Sequence, residues 1–585
     1  MFKYIKVIAD LPVYYLSKIF LKKKNLSIIG SSLGLHFADN PKYFYIDYYR
    51  RNHFSSNLVW ISKSKLIVNN LKEKGYPSEY LYSAKGLYIV LRASRAYISH
   101  QLDDINGALM GGAQIIQLWH GMPLKKIGYG GDWNDSNFAG KLKSFVFDYF
   151  FRKLPFEGGY AIFAGLETVL EILEDFQFST SDLDYLKAQG LDPEFIKYLK
   201  DFKFKGTLTS TSEGDIVFPT RPVLQVEGNM VEAQLVETLL LNILNFQTLI
   251  ATKASRIRKS AGEATLIDFG MRRAQGTGSY YASRAAFIGG FEATSNVVAG
   301  KDFNIPISGT MAHSLVQSYD DELTAFRDFA QSHPNTTVLL IDTYDTLKSG
   351  LPNAIKVGKE MESRGESLKG IRLDSGDLSY LAKKCRKALD EAGLHEVKIA
   401  VSNQLDEYVI KSLKEQKGPI DVFGVGTNLV IGDPDAALDG VYKLAFANGK
   451  PRIKLSENLA KLTMPHKKQV YRIRNSKGEL EGADAVTLRE ETEAHHMNHP
   501  FDHSKSITFN NCSSEALLHP VMENGKRLHA PKTLTEIKTY SRKRLAEFTE
   551  EFQRFQNPHI YKIGISDQLL EERDQLRNHY KNKNS

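Results

Sequence analysis

Cysteine and tryptophan are scarce in this sequence. Two cysteines in 585 residues, Cys385 and Cys512, cannot form a disulfide framework and have no metal-ligand spacing, which fits a reducing compartment and predicts no protein metal site. RGG tracts, fingers and RNP-like aromatic patterns are all missing, so nucleic acid is not an expected partner. There is no low-complexity tract and no internal repeat apart from a strand-helix period. What is present, 42% hydrophobic and 25% charged residues, is the composition of a globular protein, and the length predicts two to four domains. A cytoplasmic location is the default expectation.

Charge is unevenly distributed. Residues 1–145 hold 20 Lys and Arg against 9 Asp and Glu, a net of +11, so the remaining 440 residues net −3 of the total +8. The opening MFKYIKVIADLPVYYLSKIFLKKKN alternates aromatic and aliphatic residues with lysines. It is too interrupted by charge to span a bilayer and has no small-residue cleavage site. Residues 1–26 therefore read as a basic amphipathic segment suited to peripheral contact with a membrane, or equally as a surface helix with a solvated basic edge.

From about residue 262 a rhythm sets in: ATLIDFG, AAFIGGF, NIPISGT, TVLLIDT, KGIRLDS, VKIAVSN and DVFGVGT. Each is a short apolar run closing on a small or polar residue, and most are followed by a helical pattern such as LSYLAKKCRKALDEAGL. Seven or eight such units predict a (β/α) barrel, with a doubly wound open sheet as the alternative. Either places the strand-ending residues on one rim: Arg272, Arg273, Thr310, His313, Asp342, Asp345, Arg372, Asp374, Asp377, Asn403 and Gly424 to Thr427. Residues 155–245 and those after about 460 carry mixed strand and helix signals, which predicts α+β companions.

The rim residues suggest their own chemistry. Gly424 and Gly426 beside Thr427 allow backbone N–H groups to converge on a phosphate, although many loops are Gly-rich for turn reasons alone. Asp374 and Asp377 flank Ser-Gly just past a strand and suit ribose hydroxyls or hydrated Mg²⁺, with helix capping as the alternative. Arg372 can grip a flat carboxylate through two parallel bonds, which selects an acid over its amide. Arg272 and Arg273 add cations at another strand end.

FFRKLPFEGGYAIFAGLE, FGMRRAQG, GGFEATSNVVAG, SGTMAHS, IDTYDT, GIRLDSGDL and FGVGTNLV together resemble the nicotinate phosphoribosyltransferases, in that family's order and approximate spacing. The resemblance runs from about residue 145 to 585. It implies an irregular (β/α) barrel of the type II phosphoribosyltransferase kind (256–460), an α+β N-terminal domain (145–255) and a C-terminal α+β region (461–585). It also implies a likeness in reaction: nicotinate and phosphoribosyl pyrophosphate give nicotinate mononucleotide and pyrophosphate, coupled to hydrolysis of ATP, with Mg²⁺ present and the sites shared across a homodimer. Carried over by motif, His313 is the residue ATP phosphorylates, Thr310 lies against nicotinate, Arg372 binds it, and Thr427 contacts phosphoribosyl pyrophosphate. An imidazole, with a reference pKa of about 6.5, is largely neutral at cell pH and can attack a phosphoryl group without a separate base. Stabilisation of the cationic ribosyl centre by Asp374 or Asp377 is an inference from charge alone.

Residues 27 to about 130 look different. IIGSSLGLHFADNPKYFYIDY and QLWHGMPLKKIG resemble the amino-terminal half of the CDP-glycerol glycerophosphotransferases, which implies a partial α/β glycosyltransferase-like lobe (27–144) with His120 at the position of that family's proposed base. The nucleotide-binding lobe of that family has no counterpart, so no glycerophosphate transfer is expected. The phosphoribosyltransferase pattern in turn lacks the TDLYxLTM-like helix whose Tyr stacks on nicotinate. The alternative to a salvage enzyme is therefore an inactive or membrane-associated chimera with a relic head.

Overall fold

The computed structural model describes residues 14, 15, 17–31, 34, 35, 37, 39–51, 57–98, 104–117, 144–455, 463–502 and 504–584. They fall into two compact units, Met1–Lys126 and Ile127–Ser585.

In the first unit five parallel strands lie in the order Ser78–Tyr80, Leu58–Ser62, Lys23–Ile29, Ala93–Ile98, Gln114–Gln117. Ile28 packs with Ile61, Val90 and Ile98, whereas its neighbour Ile29 packs with Tyr45, Tyr49 and Trp60. Successive side chains point to opposite faces, so both faces of the sheet are buried, as parallel sheets require. This is the α/β lobe expected for residues 27–144. His120 lies outside the described residues, as does most of QLWHGMPLKKIG.

The second unit is built on six parallel strands: β1 (Thr265–Asp268), β2 (Ala293–Thr294), β3 (Val338–Leu340), β4 (Gly370–Leu373), β5 (Lys398–Ser402) and β6 (Val422–Val425), in the order β2-β1-β6-β5-β4-β3. An isolated parallel bridge between Thr294 and Ile307 adds a further stave. Among the described residues no ladder joins that stave to β3, so the barrel is irregular, and side chains span the gap.

One expected strand is a helix. AAFIGGF supplies the end of the helix Thr277–Ile288 and the turn after it, and β2 follows at Ala293. Alanine favours the helix: Ala282, Ala285 and Ala286 are fully buried in the same core cluster as Ala251 and Ala254 of the long helix Glu237–Ala261. A Cβ at Gly289 would fall on the backbone of Ala251.

The companion domains are not contiguous in sequence. The antiparallel seven-stranded sheet contains Phe145–Phe151, Thr207–Ser210 and Leu224–Gly228 as expected, but it also recruits Gly440–Ala447 and His519–Glu523. The expected boundary at 255/256 falls inside the helix Glu237–Ala261, and this one sheet takes strands from all three of the expected domains. Arg472, buried in the C-terminal sheet, fastens these parts. It donates to Asp484 (3.0 and 3.2 Å), to Asp215 in the companion domain (3.0 Å) and to the Ile216 carbonyl (2.7 Å). Arg544 also donates to Asp215 (3.0 Å). Burial alone would push the Asp215 carboxyl up, but the charges of Arg472 and Arg544 outweigh it and hold the group below the usual range. Among the described residues no helix is long and apolar enough to cross a membrane.

Removing one member of a buried charge cluster strands the others without solvent. Arg472→Ala should cost about 3–5 kcal/mol, read as a fall in the urea midpoint of the body; a change below about 1 kcal/mol would show that the cluster holds nothing together.

Candidate functional site

Parallel register brings the strand ends level. Asp268 sits opposite both Thr294 and Val425, Ser402 opposite Gly424, and Leu373 opposite Val401. The residues just past these positions meet in one pocket, lined by Phe269, Arg272, Arg273, Arg372, Asp374, Ser402, Asn403, Gln404, Gly424, Gly426 and Thr427.

Arg372 organises it. Nε donates to Ser402 Oγ (2.9 Å), Nη1 to Thr310 Oγ1 (2.7 Å) and Nη2 to Asp374 Oδ1 (2.8 Å), while the guanidinium carbon lies 5.3 Å from the centre of the Phe269 ring. A guanidinium carries five N–H groups. These three bonds leave one on each terminal nitrogen, the parallel pair that a carboxylate accepts. The Ser402 hydroxyl also donates to Asp374. Partial burial pushes the Asp374 carboxyl up, but the Ser402 hydrogen bond and the Arg372 charge prevail and hold it below the ordinary carboxylate range.

His313 opens a short helix, His313–Gln317, on the adjoining side of the mouth. Its Nδ1 is 3.1 Å from Thr343 Oγ1, and its Nε2 lies 3.8 Å from Asp374 Oδ2 and 3.9 Å from Asp342 Oδ1. The side chain keeps 37% exposure. The Asp342 side chain is buried, and its Oδ2 accepts from the Asp374 N–H and the Ser375 hydroxyl, both at 2.8 Å. Its Oδ1 has no hydrogen-bond partner and faces the imidazole.

The structure thus gathers Arg272, Arg273, Arg372, Asp374, Asn403, Gly424, Gly426 and Thr427 around one pocket, with Thr310 and His313 tied to it through Arg372 and Asp374. Asp377 is not among them: its exposed carboxylate accepts from the Tyr380 N–H (3.0 Å) and caps the helix Leu378–Glu391. Asp345 likewise caps the turn Thr346–Gly350. Gly424 has a different task from a phosphate cradle. It lies inside β6, where a Cβ would fall on the Phe269 ring, so its bareness makes room for that ring.

Phe269, Ser402, Gln404 and Thr343 went unread in the sequence, although each falls inside or beside a quoted motif. Asn403 and Gln404 adopt left-handed backbone conformations (φ 79° and 52°), which non-glycine residues rarely hold and which cluster at functional sites. Nothing in VKIAVSNQ marks that strain. No group of three or more His, Cys, Asp or Glu side chains among the described residues could hold a metal ion.

Comparison with known proteins divides the chain in the same way. Residues 138–245 match the nicotinate phosphoribosyltransferase N-terminal domain, 264–483 the nicotinate phosphoribosyltransferase family and 467–573 its C-terminal domain. Residues 13–146 match the CDP-glycerol:poly(glycerophosphate) glycerophosphotransferase family. The nicotinate phosphoribosyltransferase of Bacillus subtilis is 45% identical over 435 residues, covering 73% of this chain and 88% of the relative, and that of Caenorhabditis elegans is 36% identical with the same coverage. Among solved structures, human nicotinic acid phosphoribosyltransferase superposes with a TM-score of 0.68 at 29% identity, over 75% of this chain and 97% of its own. A nicotinate-nucleotide pyrophosphorylase from Pyrococcus furiosus superposes with a TM-score of 0.55 at 25% identity, over 70% and 92%.

A carboxyl held below its usual range stabilises the fold above its unfolded pKa of about 3.9 and loses that contribution as pH falls through the folded value. Asp374→Asn should therefore lower the denaturation midpoint at neutral pH, and the gap from the unsubstituted chain should close in strong acid, where Asp374 itself becomes neutral. A gap that stays constant over a series of acid denaturation curves would contradict the ion pair.

Proposed function

The chain belongs to the nicotinate phosphoribosyltransferase family, and from that premise we propose how its residues carry the reaction: nicotinate displaces pyrophosphate from phosphoribosyl pyrophosphate, and ATP hydrolysis is coupled through a phosphorylated His313. The observation that carries this reading is the meeting of Arg372, Asp374 and His313 at one barrel mouth.

Nicotinate is flat and anionic. Its carboxylate takes the two unspent N–H groups of Arg372, and its ring lies near Phe269. Arg272 and Arg273, exposed on the neighbouring loop, together with Thr427 and Asn403, receive the phosphates. As the bond from the ribosyl carbon to pyrophosphate breaks, the nicotinate nitrogen supplies the electron pair for the new bond. Asp374, held ionised, faces the positive charge that develops.

The imidazole environment favours one nitrogen. Two carboxylates near Nε2 stabilise a proton there and repel a phosphate, which leaves the Nδ1 lone pair to attack the terminal phosphorus of ATP. The P–N bond forms as the P–O bond to ADP breaks. The Thr343 hydroxyl, which can rotate, marks the approach. The unpaired Asp342 Oδ1 is placed to accept Nε2–H once the imidazole becomes cationic. Mg²⁺ would be held mainly by the phosphates of ATP and phosphoribosyl pyrophosphate, whose charge it would offset, as is common for a small, reluctantly dehydrated ion.

Two further parts belong to the same proposal. The rim carries exposed apolar side chains at Met271, Val297, Val298, Ile307 and Tyr344, which supports burial against a second copy of the chain. The basic amino-terminal unit makes a peripheral contact with a membrane and performs no transfer of its own.

With nicotinate, phosphoribosyl pyrophosphate, Mg²⁺ and ATP, the purified chain should form the mononucleotide. Arg372→Ala should lower the preference in kcat/KM for nicotinate over nicotinamide by about a hundredfold, the worth of a lost bidentate charged bond. His313→Ala should take up no phosphate from γ-labelled ATP, and its turnover should no longer respond to ATP. An unchanged acid-to-amide ratio, or label that persists without the imidazole, would refute the assignments. Sedimentation equilibrium should return twice the chain mass; a monomer at micromolar concentration removes the second copy from the scheme.

A further inference from the structure

One surface of the amino-terminal unit stands out by exposure. Ile19, Phe20 and Leu21 are consecutive large apolar residues with 75%, 46% and 78% of their surface open to solvent, and Tyr15 and Tyr88 nearby are also exposed. Scattered apolar residues on a surface need no explanation; three in a row do.

The segment is tied down, so these residues do not merely trail. Buried Ser17 donates to the Tyr14 carbonyl (2.7 Å) and accepts from the Gly111 N–H (2.9 Å), and Lys22 Nζ reaches the Leu91 carbonyl (2.7 Å) at the end of the helix Ala84–Arg92. A Cβ at Gly111 would collide with Ser17, so glycine is what lets the turn seat there. Polar anchors on both sides of Ile19–Leu21 leave the apolar tips facing outward.

Cations frame the tips. Lys18 Nζ lies 4.8 Å from the Tyr14 ring centre and 5.0 Å from that of Tyr15, and Lys23 Nζ lies 5.5 Å from Tyr88. Lys23 and Lys24 are exposed. Neither residues 14–24 nor the helix Ala84–Arg92 contains an acidic residue. An aliphatic tip ringed by lysines and tyrosines matches the layering of a bilayer surface: hydrocarbon below, aromatic rings at the headgroup level, anionic phosphates above.

We propose that this turn is a membrane wedge: Ile19, Phe20 and Leu21 insert between the headgroups of an anionic bilayer while Lys18, Lys23 and Lys24 pair with lipid phosphates. The proposal deepens the peripheral contact proposed above and rests on it. An unpartnered polyanion site such as one for nucleic acid would use the lysines but would have no use for the aliphatic tip.

The test is flotation of the full chain with vesicles of phosphatidylcholine mixed with phosphatidylglycerol, and with pure phosphatidylcholine. The unsubstituted chain should float with the mixed vesicles only. Ile19→Asp combined with Leu21→Asp, both at exposed positions, should reduce the partition coefficient by at least about tenfold, the worth of one buried aliphatic side chain, and leave mononucleotide formation unchanged. Lys18→Glu with Lys23→Glu and Lys24→Glu should abolish the preference for the mixed vesicles. If the unsubstituted chain does not float, the peripheral contact and the wedge both fail. If it floats and the double aspartate variant floats equally well, the contact stands and the wedge is overturned. Binding to single-stranded DNA that is undiminished in the aspartate variant, without flotation, would make the patch a polyanion site instead.

Discussion

Parallel pairing in a fixed register is the constraint on which the site depends. Side chains alternate along a strand, so a one-residue slip of β4 against β3 or β5 would turn Arg372 away from Ser402 and bring Ile371 or Leu373 in its place. No local sequence signal prevents that slip. The restraint is the burial of Ile371 and Leu373, both fully covered, on the opposite side of the same four-residue strand. Core packing therefore aims the Arg372 guanidinium, and the pocket inherits its precision from residues that do not line it.

The same logic explains why the body is sewn together out of sequence order. Phe145–Phe151 pairs on one side with Leu224–Gly228 and on the other with Gly440–Ala447, so the companion sheet closes only after the last barrel strand has been made. Arg472 and Arg544 then converge on Asp215 from the C-terminal region. Long-range pairing of this kind carries a loop-closure cost that only a large shared core offsets, and the main cluster of buried residues does run from Tyr160 to Tyr561.

What could be read from sequence follows from how local each signal is. Five of the apolar runs after residue 262 are strands because each is short, β-branched and closed by a small or polar residue. AAFIGGF is equally short and apolar but holds a single β-branched residue, and its alanines continue a helix that packs in the same core as the helix Glu237–Ala261. Arg372, Asp374, Asn403 and Thr427 were legible because strand ends of a barrel share a rim. Asp377, three residues from Asp374, could not be separated from it by pattern, since helix capping and a place in the pocket ask for the same residue type after the same kind of turn. Ser402 and Phe269 stayed hidden because their work is to hold Arg372, and a serine or phenylalanine at a strand end has many commoner uses. The interleaved domains were out of reach for the reason that made the boundaries look linear: pairing partners hundreds of residues apart leave no trace in composition.

Two arginine-aspartate clusters in this body invite comparison. Around Arg472 the donors end on two aspartates and a carbonyl, and nothing of the side chain meets solvent. Around Arg372 the partners are an aspartate and two hydroxyls, two N–H groups remain, and the guanidinium faces an open pocket with 15% of the side chain exposed. Both hold carboxyls below their usual range, at Asp215 and Asp374, so a displaced pKa does not tell a structural pair from a working one. Whether the spare N–H groups face a pocket does: Arg472 also keeps one N–H on Nη1, but it is shut in the core. A buried cluster gains nothing from a spare donor, whereas a binding site must keep donors in hand and bear the cost of leaving them to water until a ligand arrives. By that criterion Arg372, whose two remaining donors face the pocket, and Asp342, whose unpartnered Oδ1 faces the partly exposed imidazole of His313, are the groups of the rim left to meet a ligand.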